Sequence, residues 1–378
     1  MEINKVTNSW VYYSFILVIA FLWLLPIHSE CNVILTDNGY KKSKNLMVIS
    51  FLLIGFITFW AAIRNGVADT ATYIYGYDEM TDPQTSFIDI FKGNDKAPLF
   101  SVFKLALKKL GFNYHVYLAA IAIISGVCIA YGIGAYTENV FLSAFIFVAS
   151  TNCMWLFNGI RQFLVVSIIF ASTRLIAEKK LFKFLLLVFI LYLIHNSCII
   201  MIPIYFILNF KPWSWQIGIC VVATMAIVFL FPQQFIELLD EGFEDYNILQ
   251  QVEEDDGVNI LRVLVAAVPS VLAFIYRENI HKYNNKYVNL WINASVITVG
   301  LYAVGVVSSG VFVGRLPIYT EIYNVLLLPF LLKRIIPPDT QKILYIACLG
   351  FFMLFFYLMQ QNAYYTTDLF NSMNLVTG

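Results

Sequence analysis

The sequence predicts an all-α polytopic membrane protein of about 12 transmembrane helices (10–12), and three observations predict it. Of 378 residues, 60% are apolar and 13% charged, against about 45–50% and about 25% in soluble globular chains. Mean hydropathy is +0.74. The apolar residues also gather into runs of spanning length, a crossing helix needing about 20 residues. Lys plus Arg and Asp plus Glu balance at 24 each. No net field therefore favours nucleic acid, and no basic stripe with interleaved aromatics appears.

In chain order the runs fall at 10–27, 46–63, 114–135, 140–156, 160–177, 181–195, 197–210, 215–232, 258–276, 288–308, 316–332 and 343–359. The first, from Trp10, lacks a small-residue cleavage site and reads as a retained span. The pair 181–195 and 197–210 reads either as one long tilted helix or as two short helices meeting at "HNS" (His195–Ser197). Cations in short loops mark the cytoplasmic side. They cluster at "KKSK" (41–44), at Lys179, Lys180 and Lys183, at Lys211, at Arg277, Lys282 and Lys286, and at Lys333, Arg334 and Lys342. Placing all of them inside puts the N-terminus outside and favours twelve crossings, provided "HNS" is a turn. The expected organisation is one integral membrane domain over 1–378, with an external loop carrying amphipathic helices at 64–113 and an acidic external loop at 233–257.

On that topology the remaining polar features share the external face. "FNGIRQF" (157–163) places Asn158, Arg161 and Gln162 at i, i+3 and i+4, one face of a helix. An arginine at a helix end often snorkels to head groups. Two amides beside it point instead to a polar pocket, since buried arginines tend to face a cavity. In "AIRNGVADTATYIYGYDEM" (62–80), Arg64 closes a span, and Asp69, Tyr73 and Tyr77 follow at i, i+4 and i+8. "LIHNSC" puts His195 in the interruption of a long apolar stretch. "NILRVLVAAVP" carries Arg262 one turn into a span. "GVFVGRLPIYTEIYNVLLLP" carries Arg315 where Pro317 opens a helix, with Tyr319 and Tyr323 at i+4 and i+8. A guanidinium there adds to the positive end of the helix dipole, which favours an anion.

Guanidinium matches phosphate bidentately and never deprotonates. Four arginines at one membrane face, each beside a polar or aromatic partner, suit a lipid head group with two phosphates. There is no DxD motif, and "EEDD" (253–256) lies in a long loop. The six cysteines show no CxxC or Cys/His metal spacing and read as small apolar residues. Neither a metal nor another cofactor is predicted.

These segments resemble a family. "IRNGVADTATYIYGY" is similar to the Arg–Asp–Thr–x–x–Tyr segment of the EpsG-like group of Wzy-type polysaccharide polymerases, although Ala68 precedes Asp69 where the family often has Gly-Thr-Asp. "NGIRQFLVVSIIFAS" resembles its Asn–x–x–Arg–Gln helix and "LIHNSCIIMIPIYFI" its His–x–Ser helix. "ILRVLVAAVPSVLAFIYR" and "RLPIYTEIYNVLLLP" resemble its later arginine segments, so the likeness runs in order along nearly the whole chain.

The resemblance implies a GT-C-like helical glycosyltransferase of the bacterial inner (cytoplasmic) membrane, working on its external face among membrane lipids. Donor and acceptor would be oligosaccharides on undecaprenyl diphosphate, and a chain-length regulator and a flippase would be partners. Arg161 and Arg315 would stabilise the departing diphosphate, and Asp69 or His195 would act as base. Arg64, Arg262, Asn158 and Gln162 would bind substrate, with Tyr73 and Tyr319 on sugar. A flippase of the same lipid-linked unit, or a ligase moving finished glycan, would need similar cations, and both stay open at this point.

Overall fold

The computed structural model describes residues 35–36, 39–40, 44–80, 86–93, 95–150, 152–230, 257–307, 313–360 and 365–368. Apart from a two-residue antiparallel pair, Leu35–Thr36 with Gly39–Tyr40, and one isolated bridge between Gly66 and Thr366, the regular structure described is helical. Four helices are long and apolar enough to cross a membrane: Asn45–Ala62, Tyr114–Tyr136, Lys286–Val306 and Pro338–Met359. The apolar helices Val140–Ala149, Ile160–Ala171, Leu181–Tyr192, Asn196–Leu208 and Ile260–Ile275 are shorter. A 12-residue helix reaches only about 18 Å at about 1.5 Å per residue, well short of a hydrocarbon core of about 30 Å. The helical multi-pass character is therefore present, while one helix per apolar run is not. The run 10–27 and, but for Gly257, the loop 233–257 lie outside the described residues.

Local chemistry explains where helices start. Asn113, Asn139 and Asn259 each accept a backbone N–H of the following first turn through the side-chain oxygen, at 3.3, 3.1 and 2.8 Å. The stretch 181–210 resolves into Leu181–Tyr192, a 3-10 turn Asn196–Ile200 and Met201–Leu208. The chain folds back there, because Cys198 Sγ reaches the Val188 carbonyl at 3.6 Å. Of the two readings of this stretch, the structure has the one with helices meeting at "HNS", and His195 lies in the turn, outside both flanking helices.

Small residues bring the central helices together. A side chain at Gly126 would run into Thr58, so Lys44–Ala62 packs close on Tyr114–Tyr136. A side chain at Gly132 would run into the Phe170 ring, which docks Ile160–Ala171 on the same helix. The run 316–332 is not one smooth span. It breaks into Ile318–Glu321, Asn324–Phe330 and a π-helical turn Leu331–Ile335, and every residue from Leu316 to Leu332 is buried. A segment this largely apolar belongs inside the bundle, its few polar side chains, Thr320, Glu321 and Asn324, buried with it.

At the C-terminal end of the Tyr114–Tyr136 helix, the fully buried Glu138 receives Arg334 Nε at 3.1 Å, and Lys333 Nζ donates to its backbone carbonyl at 2.9 Å. Arg174 and Lys180 bracket Glu178 nearby, and Tyr283 donates to the Arg334 carbonyl at 3.3 Å. Cations from separate segments thus gather at this end. The arginines at 64 and 161 act on Tyr117, in the first turn of that same 23-residue helix, about 30 Å away at about 1.5 Å per residue.

Candidate functional site

The site is built on the start of Ile160–Ala171. The turn before it closes with Asn158 N donating to the Met154 carbonyl at 2.8 Å, and Gly159 takes φ +58°. An L-residue is disfavoured in that left-handed conformation. The helix then begins at Ile160, with Arg161 and Gln162 in its first turn. This corrects one expectation: Asn158 does not share a helix face with Arg161 and Gln162, because the left-handed glycine reorients the chain between them. Asn158 Oδ1 is buried without a hydrogen-bond partner among the described residues.

Four chain segments meet beside this helix start. Gln162, 3% exposed, donates from Nε2 to Ser197 Oγ at 3.2 Å and to the Arg315 carbonyl at 3.3 Å. Ser197 Oγ lies 2.8 Å from His195 Nδ1 and 2.8 Å from the Tyr319 hydroxyl. The backbone N–H of Ser197 donates to His195 Nδ1 at 3.3 Å, so the imidazole caps the 3-10 turn. His195 is half-buried. Burial first, and then the positive charges of Arg161 and Arg315, push its pKa down to about 3. The Arg161 guanidinium lies over the Phe100 ring, 5.6 Å from its centroid. Arg161, Gln162, His195, Arg315 and Tyr319 thus converge.

A second group adjoins the first through Tyr117, on which both Arg161 and Arg64 act electrostatically, as does Tyr73. Arg64 is 1% exposed, donates from Nε to Thr70 Oγ1 at 3.1 Å and also donates to the Ala61 carbonyl. Its guanidinium lies 5.8 Å from the Phe157 centroid. Asp69 sits immediately before Thr70, at the start of Thr70–Asp78, with Ala68 at φ +45°. A non-glycine residue in that region carries backbone strain, a common mark of functional loops. Tyr77 is fully buried, stacks on Tyr117 at 4.7 Å and donates to the Phe112 carbonyl at 2.9 Å, so it serves packing.

Other expectations change. Arg315, Tyr319 and Tyr323 do not lie on one continuous helix: Arg315 ends the turn Val313–Arg315, and the helix Ile318–Glu321 stops before Tyr323. Both tyrosines are buried, and their hydroxyls meet different partners, Ser197 for Tyr319 and Thr173 for Tyr323, because the helix breaks after Glu321. Arg262 is not joined to the cluster by any described contact, and its Nε is buried without a hydrogen-bond partner among the described residues.

The sequence reading missed Ser197, the hub of the cluster, and Tyr117, which links its two halves. It also missed the segment at 365–368 that covers the Arg64 corner. Tyr365 donates to the Trp60 carbonyl at 2.7 Å, Thr367 to the Ile63 carbonyl at 2.7 Å, and Thr366 exchanges backbone bonds with Gly66. A buried carboxylate, Glu321, takes the Tyr302 hydroxyl at 2.7 Å two residues beyond Tyr319 and was missed as well. Only the "HNS" interruption itself signalled any of these.

Chemically, the arrangement offers fixed positive charge, an uncharged imidazole and hydrogen-bonding amides at one end of an apolar bundle, a setting suited to an anionic group. The model of the EpsG family matches residues 47–371, most of the chain, as the motif resemblance implied. No curated protein and no solved structure matches the chain.

Proposed function

The chain belongs to the EpsG family, a Wzy-like polysaccharide polymerase family, and from that membership and the geometry above we propose the reaction it performs. It is a membrane glycosyltransferase that joins oligosaccharide repeat units carried on undecaprenyl diphosphate, on the external face of the bacterial cytoplasmic membrane. The acceptor sugar's hydroxyl oxygen bonds to the anomeric carbon of the donor's reducing-end sugar. The bond from that carbon to the diphosphate oxygen breaks, and its electron pair leaves with the polyprenyl diphosphate. The acceptor hydroxyl's proton goes to a base, for which Asp69 and His195 are the sequence candidates.

Negative charge grows on the diphosphate as the sugar becomes cation-like, and preorganised positive groups aimed at that charge are the expected large catalytic contribution. Arg161 and Arg315 take this role in the proposal. Arg64 binds phosphate on the Tyr117 side, with Tyr73 and Asp69 beside it, and Asn158, Gln162 and Tyr319 shape the pocket. Arg262, standing apart, is assigned the acceptor lipid's phosphate. The orientation in this proposal is taken from the loop rule, and the gathering of Arg174, Lys180, Lys333 and Arg334 at the opposite end of the bundle supports assigning that end to the cytoplasm. The observation that carries the reading is that Arg161 and Arg315 both act on His195, which the Gln162–Ser197–Tyr319 network holds.

The test is chain-length analysis in cells lacking the protein. Loss of a polymerase leaves single repeat units on the product. Polymer retained on the lipid carrier would indicate a ligase instead, and units left facing inward would indicate a flippase.

A further inference from the structure

The Ser197 hydroxyl has three polar neighbours, and counting hydrogens among them fixes the state of His195. Gln162 Nε2 stands 3.3 Å from the Arg315 carbonyl, which can only accept, so the amide presents its NH₂ group there. That same NH₂ group donates to Ser197 Oγ at 3.2 Å and uses one of the hydroxyl's two lone pairs. The Ser197 backbone N–H donates to His195 Nδ1 at 3.3 Å, which requires that nitrogen to carry no hydrogen. Ser197 Oγ, 2.8 Å from Nδ1, therefore gives its single hydrogen to the ring. The Tyr319 hydroxyl, 2.8 Å from Ser197 Oγ, then donates into the remaining lone pair. The Ser197 hydroxyl's hydrogen and both its lone pairs are used in this arrangement. A hydrogen on Nδ1, in the other neutral tautomer or in the imidazolium, would instead face the Ser197 N–H.

The ring therefore carries its hydrogen on Nε2, and no acceptor among the described residues takes that hydrogen. The charged groups acting on the ring are Arg161 from the Ile160–Ala171 helix and Arg315 from the Val313–Arg315 turn, both positive. Tyr319 approaches from the helix that follows. Beside Asn196, the neighbouring Lys96 is exposed to solvent.

We propose that His195 serves the transfer as a neutral hydrogen-bond donor, through Nε2–H, to an oxygen of the departing diphosphate, with Ser197 as the residue that holds this tautomer. His195 is then not the base. The acceptor hydroxyl's proton goes elsewhere, with Asp69 the remaining sequence candidate. The inference rests on the polymerase reading for its ligand, while the tautomer itself does not.

The experiment uses the full-length protein in nanodiscs with ¹⁵N-labelled histidine imidazoles, followed by NMR from pH 8 to pH 5. Four histidines are present, and the His195 signal is the one absent from His195→Gln. The expected result is a neutral Nε2–H ring over the whole range. A midpoint between pH 5.5 and pH 8, or an Nδ1–H ring, overturns the proposal. If His195→Gln does not accumulate folded, the wild-type spectrum alone decides: one non-titrating Nε2–H ring is expected, and four titrating rings overturn it. Ser197→Ala loses the hydroxyl but keeps the backbone N–H that faces Nδ1, so the Nε2–H tautomer is expected to persist, and an Nδ1–H ring in this variant would overturn the assignment of the hold to that N–H. His195→Leu is expected to lose on the order of 10²–10³ in kcat, the scale of one oxyanion donor, while His195→Gln, which keeps an amide donor, loses less. Equal losses overturn the donor role. The spectra need no substrate, so a protein that shows the tautomer yet elongates no glycan refutes the polymerase reading and leaves this one standing.

Discussion

Arg161→Lys separates charge from geometry at the site. Lysine keeps the positive charge and part of the contact with Phe100, whose ring centroid lies 5.6 Å from the guanidinium carbon. It loses the planar fork, and with it one of two parallel hydrogen bonds to a phosphate. A hydrogen bond to a charged group contributes about 1.5–3 kcal/mol. At about 1.36 kcal/mol per decade this is roughly 10–150-fold in turnover. The assay is elongation of a synthetic lipid-diphosphate oligosaccharide by the purified variant, resolved as a ladder of products and compared with Arg174→Lys, a substitution at the opposite end of the bundle whose exposed pair with Glu178 should leave turnover unchanged. Wild-type turnover in Arg161→Lys would refute the assignment of the fork. Equal losses in both variants would refute the claim that chemistry resides at one end.

Gly159→Ala is expected to lower stability by about 1–2 kcal/mol, because a left-handed L-residue is disfavoured by that amount and its Cβ would crowd the Trp155 ring at 3.3 Å; unchanged denaturation would show that the turn before Arg161 is not constrained. Tyr319→Phe removes the donor into Ser197 and should cost about 0.5–1.5 kcal/mol in denaturant unfolding while preserving the fold, whereas no change would mean that the hydroxyl network contributes nothing. The depressed His195 pKa gives stability that is present above the unfolded value near 6.5 and is lost as pH falls toward about 3. Thermal unfolding across that window should show a slope of up to about 1.4 kcal/mol per pH unit that flattens in His195→Gln, and parallel slopes would contradict it.

Most helix positions were legible because apolar runs and polar breaks state them directly: Tyr114–Tyr136 and Lys286–Val307 follow their runs closely. Breaks inside apolar runs were not, since Leu316–Leu332 reads as one span and only packing reveals three short pieces at the centre of the bundle. In the site, arginines and a histidine stand out from an apolar background, so Arg161, Arg315 and His195 could be singled out. Ser197 could not, because serine is common in membrane helices and its importance lies in three partners 2, 35 and 122 residues away. Gly159 hid for a related reason: helical spacing assumes a continuous helix, and a single left-handed residue cancels it. Arg262 carried the same sequence signal as its counterparts, yet nothing described in the fold joins it to them.

The most direct measurement reconstitutes the purified protein with one synthetic repeat unit on undecaprenyl diphosphate and follows glycan length and free polyprenyl diphosphate together. A ladder of lengthening products is expected, with one polyprenyl diphosphate released per added unit, both abolished when Arg161 and Arg315 are replaced together by alanine. Unextended substrate from the folded wild-type protein, or a ladder that survives the double replacement, would contradict the account.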